Sequence, residues 1–356
     1  MRVTTAHYLS NLLRLLRGDR VLEPLVVSYC VTAHCNLNCA YCEDYGARRN
    51  ASIQFQPLPL ADAKRLLAVV RQATDSLIFT GGEPLLYAGL DALIVHARRD
   101  LRYASLTLLS NGTLLAEHTG ILHQLDRLVI SLDTLDPQAW DQTLRAEPGT
   151  AQKILHTIAA AADRKPGHLQ LIVHCVVTPE TLPQAQGVLD FCIEQGILFS
   201  CSPQSVNNWP RYELMVSEPY AAFIGRLMAL KQRGAPILGS RPYLQMMLNL
   251  HPYPCYPLLA PRVMPDGALS FPCRPIERSG HAHGGRAINL LEIGDWREAV
   301  RRAIGMYGSP PLTCGSCYQQ CYVEPSLMQA QPLALMREWL AFPPSRRASV
   351  HTYAPG

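Results

Sequence analysis

The chain has 356 residues, 48% of them hydrophobic and 17% charged, with a formal net charge of +4 at pH 7. That is enough apolar mass for one large domain or two to three smaller ones. The charge is too mild for the basic stripe that nucleic-acid binding requires, so nucleic acid is not the expected partner. No charged n-region, apolar h-region and small-residue cleavage site opens the chain, and no run approaches the roughly eighteen apolar residues that span a bilayer. The expectation is a cytoplasmic protein, in which twelve cysteines point to metal ligands before disulfides.

In chain order, Tyr8 to Arg17 set leucines at helical spacing between arginines, an amphipathic helix closed by Gly18. Its leucines are expected to pack on the neighbouring barrel, with membrane-surface contact as the alternative. From Leu25 apolar strands alternate with helices. The strands are Leu25–Tyr29, Ser76–Phe79, Ser105–Ser110, Arg127–Ser131, Leu169–Val177 and Ile197–Ser200. The helices are Ala61–Ala73, Leu90–Arg98, Leu114–Leu122, Thr150–Asp163 and Pro183–Gln195. This alternation predicts an α/β fold with a parallel sheet, and six units are too few for a closed eight-stranded barrel. A partial (β/α)6 barrel is expected over 25–206. A helical linker over 207–250 follows, with helices Pro219–Gln232 and Pro242–Asn249. A small Cys-rich hairpin and helix extension spans 251–325, including helical signal at Ile293–Ile304. A last helix, Leu333–Phe342, and a tail occupy 326–356.

The stretch CNLNCAYC places Cys35, Cys39 and Cys42 on the loop after the first strand, the end at which parallel α/β folds build their sites. Thiolates suit an iron–sulfur cluster and zinc alike. A cubane with three protein thiolates keeps one iron open to a small molecule, whereas zinc would recruit His34 or a distant fourth ligand. Thr80-Gly81-Gly82-Glu83-Pro84 follows the second strand, with two glycines that allow close backbone approach to a ligand. Ser110-Asn111-Gly112 ends the third strand and Ser131-Leu132-Asp133 the fourth, segments that read equally as turn chemistry or helix caps. On the fifth strand His174 shares a face with Val176 and Thr178, either as a structural residue or as a ligand. Cys30, Cys175, Cys192 and Cys201 have no metal spacing and read as buried core.

C-x3-C-x2-C with Tyr41 before the last cysteine resembles the radical S-adenosylmethionine (radical SAM) superfamily over residues 25 to 205. The resemblance implies a [4Fe–4S] cluster on Cys35, Cys39 and Cys42. The amino and carboxylate groups of S-adenosylmethionine would chelate its open iron. A 5′-deoxyadenosyl radical would then abstract hydrogen from a substrate. Gly81, Gly82 and Glu83 look like the segment that holds the methionyl amine. Tyr41, Ser110, Asn111, Ser131, Asp133 and His174 stand at the family's cosubstrate-facing positions, with Ser131 and Asp133 as ribose or carboxylate contacts.

A second set of cysteines follows the barrel. Cys255 and Cys273 flank a hairpin with its turn at Asp266-Gly267, and CGSCYQQC adds Cys314, Cys317 and Cys321. This looks like the SPASM or shorter twitch extension of radical SAM enzymes. Five cysteines limit it to one auxiliary [4Fe–4S] cluster, with zinc as the alternative. The run ending in Glu324 also resembles, over a dozen residues, the tail of adenosylhopane synthase-type proteins. The expected function is radical chemistry on a small or hydrophobic metabolite, oxidised or rearranged with help from the second cluster. A flavodoxin or ferredoxin would donate electrons. Glu43, Tyr45 and Arg274, close in sequence to cluster ligands, are the catalytic candidates, with Asp44 and Tyr322 beside them. No separate leader-binding domain is recognised before the barrel, which disfavours peptide modification. Adenosyl transfer to a polycyclic lipid remains an alternative, as does a non-catalytic Fe–S sensor or zinc-binding module.

Overall fold

A computed structural model describes residues 3–46, 56–280, 282–311 and 317–333. Its elements in order are α1 (Val3–Leu16), β1 (Val27–Thr32), α2 (Leu60–Arg71), β2 (Ser76–Gly81), α3 (Leu90–Arg99), β3 (Ser105–Ser110), β4 (Arg127–Ser131), α4 (Pro137–Leu144), α5 (Thr150–Arg164), β5 (Gln170–Val177), α6 (Leu182–Glu194) and β6 (Leu198–Pro203). The short strands β7 (Ser205–Val206) and β8 (Trp209–Pro210) come next, then α7 (Tyr212–Met215), α8 (Glu218–Gln232), α9 (Arg241–Asn249), β9 (Arg262–Val263), β10 (Leu269–Ser270), α10 (Arg274–Arg278), α11 (Leu290–Ile293), α12 (Trp296–Tyr307) and α13 (Gln320–Ala330).

β1 to β6 lie side by side in chain order and pair in parallel. They form the open partial barrel expected from the alternation. Alternate residues Val27, Tyr29, Leu77, Phe79, Leu106, Leu108, Val173 and Phe199 join one continuous core with the surrounding helices. Period-two geometry leaves Thr32, Thr80, Thr107, Ser131, His174 and Ser200 on the opposite, inward face. The same face also carries apolar residues, among them Ile78, Leu109, Val129 and Ile172.

Several expectations are corrected. The Leu114–Leu122 helix is two 3₁₀ segments, Leu115–Glu117 and Thr119–Gln124, and Gly120 in the second lowers helix propensity there. The sequence reading passed over α4, which begins with Asp136 accepting from Gln138 N and Ala139 N and with Pro137 at its first position, a regular helix start. α13 runs through Pro325, so the boundary expected at 325 falls inside a helix. Leu333–Phe342 lies outside the described residues apart from its first member. The hairpin turn at Asp266-Gly267 is present, with Gly267 at φ 85°. However, β9 pairs in parallel with β1, Arg262 opposite Ser28. The Cys-rich extension therefore continues the barrel sheet.

α1 meets the expectation on one face only. Tyr8 and Leu15 pack against Leu22, Leu25 and Leu259, and Thr4 Oγ1 donates to Asp75 Oδ1 at 2.6 Å. Both Leu25 and Asp75 precede strands, so α1 sits at the N-terminal end of the sheet. Leu9, Leu13 and Leu16 remain 50%, 57% and 84% exposed. Whatever they meet is at the opposite end from the loops that carry the motifs.

Candidate functional site

The Cys35–Cys42 loop is seated on the end of α4. Asn38 N donates to Leu144 O at 3.1 Å and Ala40 N to Thr143 O at 2.9 Å. The three thiols are half-buried and close enough to act on one another electrostatically. Burial first, then Glu83 and the Cys42 thiol, push Cys35 up to about 11, and burial followed by the Cys42 thiol pushes Cys39 up to about 12. Three adjacent soft donors on one loop fit an iron–sulfur cluster.

The two glycines at the end of β2 have a structural role of their own. Gly82 N donates to Thr32 O and Glu83 N to His34 O, at 2.9 and 2.8 Å. A Cβ on Gly81 would stand 2.3 Å from Thr32 O, and one on Gly82 2.2 Å from His34 O. Only glycine lets this segment lie against the backbone that leads into the cysteine loop. Glu83 is fully buried. Its carboxylate accepts from Ser110 Oγ at 2.8 Å, Asn111 N at 2.7 Å and Leu85 N at 3.1 Å. Burial pushes it up to about 7 against those three donors. It thereby locks the ends of β2 and β3 together. Asn111 extends the link, its Nδ2 donating to Asn36 Oδ1 at 2.9 Å inside the cysteine loop.

Asp133, expected as a ribose or carboxylate contact, is fully buried. It accepts from the Tyr41 hydroxyl at 2.6 Å and from Val176 N at 2.8 Å, and burial pushes it up to about 6. Both of its oxygens accept from protein donors, and through one of them it positions Tyr41, beside Cys42. Ser131 lies opposite His174 in the β4–β5 register, half-buried at the sheet's inward face.

His174 bridges to β6, with Nδ1 3.0 Å from Ser200 Oγ and Nε2 3.1 Å from Ser202 Oγ. Ser200 donates to Gln320 Oε1 at 2.6 Å, so it accepts from Nδ1–H, and Nε2 accepts from Ser202. Burial pushes the imidazole down to about 4 from its ordinary 6.5. Stability gained by keeping it neutral is therefore complete above about pH 6.5 and lost as pH falls toward 4. It amounts to up to about 3 kcal/mol. Denaturant midpoints of the apoprotein are expected to fall over that range, and less steeply for His174→Gln. Parallel losses in the two proteins would refute the assignment.

The catalytic candidates are engaged elsewhere. Glu43 pairs with Arg278 at 2.6 Å and accepts from Asn207 N at 2.9 Å. Arg274 pairs with Glu277 and lies 3.5 Å from Asp44, which Arg278 also reaches at 3.1 Å and Arg262 at 3.8 Å. The Tyr45 hydroxyl meets Cys30 Sγ at 3.2 Å. These residues fasten the cysteine loop to β9 and α10. No sequence spacing links Arg262, Arg278 or Gln320 to the loop, and the sequence reading missed all three.

Among the second cysteines, Cys273 and Cys317 are buried with Tyr322, and Cys321 packs beside them. The Tyr253 hydroxyl donates to Cys317 O at 2.8 Å and lies 3.7 Å from Cys317 Sγ. Burial raises it, with the Cys317 and Cys255 thiols next in effect. Four thiols thus approach one buried region. Cys314 lies outside the described residues. Cys30, Cys175, Cys192 and Cys201 are buried, as expected of core cysteines.

The Radical SAM superfamily matches residues 29–192. A curated "GTP 3′,8-cyclase" of Mycobacterium marinum is 33% identical over 221 residues, 60% of each chain. "GTP 3′,8-cyclase 2" of Mycobacterium bovis is 34% identical over 183 residues, 50% of this chain and 49% of its own. The chain thus spans about half to three-fifths of these relatives' length. Among solved structures, Streptococcus suis SuiB bound to S-adenosylmethionine superposes with a TM-score of 0.56 at 20% identity, covering 80% of this chain and 67% of its own. Native anSMEcpe with bound AdoMet gives 0.56 at 14% identity, covering 88% and 99%. These two share the fold.

Proposed function

We propose that this chain, whose residues 29–192 match the radical SAM superfamily, is an enzyme of that superfamily that holds a [4Fe–4S] cluster and S-adenosylmethionine and abstracts hydrogen from a small metabolite with the help of one auxiliary cluster. The observation that carries the reading is the packing of Cys35, Cys39 and Cys42 in one loop braced by the Gly81–Glu83 segment. Cys35, Cys39 and Cys42 would hold the cluster, which would supply the electron for reductive cleavage of S-adenosylmethionine. This chain's residues hold the loop, line the lumen with hydroxyls and limit the entry of water. Ser131 and His174, on the inward face, are the side chains we place toward the cosubstrate. Electrons would come from a flavodoxin or ferredoxin.

The relatives' printed name raises GTP as a substrate. Against it, among the described residues Arg262, Arg274 and Arg278, which reach the cysteine loop, all lie within 4 Å of Asp44 or Glu43. A triphosphate seated there would have to compete with these partly exposed ion pairs for the arginines. The reading of a less charged metabolite is favoured.

For the second site, Cys255, Cys273, Cys317 and Cys321 are proposed as ligands, with Cys314 as the competitor for one place. Among the described residues no three Cys, His, Asp or Glu side chains converge on a single-ion site. The test is iron and sulfide per chain after anaerobic reconstitution of a variant with Cys35, Cys39 and Cys42 all changed to Ala. About four irons retained is the expected result. Zinc in place of iron would reduce the region to a structural brace. No helix among the described residues is long and apolar enough to cross a membrane.

A further inference from the structure

The rim of the site carries a patch that hydrogen abstraction leaves unused. β7 and β8 form a hairpin with Val206 opposite Trp209. Its two turn residues, Asn207 and Asn208, have φ of 51° and 72°. That is the type I′ turn whose twist matches paired strands, and asparagine tolerates its left-handed backbone better than most residues. The tip is held on several sides. Asn207 N donates to Glu43, the residue after Cys42, while Arg278 donates to Asn208 Oδ1 at 2.9 Å and Asn208 Nδ2 donates to Pro275 O at 3.1 Å. The hairpin therefore reaches from the end of β6 to the cysteine loop and α10.

Side chains around this pinned tip are left in solvent. Val206, Trp209, Tyr212, Met215 and Val216 are 44%, 56%, 71%, 46% and 62% exposed. Rigid backbone with several large apolar side chains exposed close together marks a binding surface and not an accident of composition. The one cation among them, Arg211, is paired with Glu180 and Glu213, both at 2.8 Å, so it offers no spare charge. Pro210 lacks a backbone donor, and Arg211 N is spent on Gln204 O, which makes the β8 edge a poor template for an added peptide strand.

Resting on the radical SAM reading, we propose that these five side chains form an apolar lip. It grips the uncharged hydrocarbon portion of the enzyme's own substrate while the reacting end enters the Ser- and Thr-lined lumen. The substrate class is then an amphiphile, longer than the lumen and apolar at its trailing end.

The experiment uses anaerobically reconstituted holoenzyme and dodecyl maltoside below its micelle concentration. The emission difference between the wild type and Trp209→Phe isolates Trp209. A saturable blue shift is expected, absent in Trp209→Phe and about tenfold weaker in affinity for Met215→Asp and Val216→Asp, which put a charge against the hydrocarbon. No saturable shift, or one that the Asp variants leave unaltered, overturns the lip. A shift that tracks dimerisation in sedimentation also overturns it, by making the patch an interface between copies. Dithionite-driven 5′-deoxyadenosine formation is followed in the same samples. Its absence from the wild type sinks the underlying enzyme reading, whereas its presence with flat emission sinks the lip alone.

Discussion

Changing Cys39 to Ala is expected to bring dithionite-driven 5′-deoxyadenosine formation to background, with the loop's iron lost and the C-terminal iron kept. The loss is complete and not fractional because the loop offers no spare thiolate. Cys30 is the nearest other cysteine in the chain's order, but it lies on β1, fully buried, with its sulfur directed to the Thr32 carbonyl at 3.4 Å and the Tyr45 hydroxyl. Burial raises its pKa further, which keeps it a thiol. Cubane clusters take their irons from thiolates that can reach them, and two from this loop do not hold four irons. Chromatographic quantitation of 5′-deoxyadenosine beside iron analysis checks it. Retention of a tenth or more of the wild-type yield would mean that the cluster sits elsewhere.

Asp133→Ala is expected to cost about 2–6 kcal/mol of folding stability, since it strands two donors, the Tyr41 hydroxyl and Val176 N, at about 1–3 kcal/mol each. Asp133 itself is fully buried between them. The cysteine loop also loses its tie to β4 and β5, so cluster loading should fall more than helix content does. Asp133→Asn keeps one acceptor and should lose about half as much. Thermal or denaturant unfolding, with circular dichroism and iron content on the same samples, separates the effects. A loss below about 1 kcal/mol would place Asp133 outside the loop's support. For comparison, Glu43→Gln breaks a partly exposed ion pair, whose removal ordinarily costs about 1 kcal/mol or less.

Most of the barrel was legible in the sequence because its signals are local. Each of the six parallel strands is an apolar run bounded by turn residues. The order of cysteine loop, glycine pair and strand-end polar residues survives in the sequence because each follows its own strand. The meaning of those residues was less legible. The glycine pair reads as a ligand cradle, yet its Cα positions face Thr32 O and His34 O, far earlier in the chain, and that approach exists only once β1 and β2 pair. Asp133 reads as a ligand contact for the same reason, since its partner Tyr41 is 92 residues away.

What the sequence determined by itself, then, is the chemistry carried on short spacings: three thiols on one loop, a glycine pair after the second strand, a turn at Asp266-Gly267. What only the tertiary structure decided is which polar groups face the lumen and which brace it. Glu43 and Arg274 turn out to be braces because β9 joins β1 and brings α10 over the loop. His174 is tied through Ser200 to Gln320, on a helix far beyond it in the chain. The physical reason is that a buried polar side chain must find a partner wherever the fold delivers one, and the identity of that partner is a property of strand pairing and helix docking, not of neighbours in the chain.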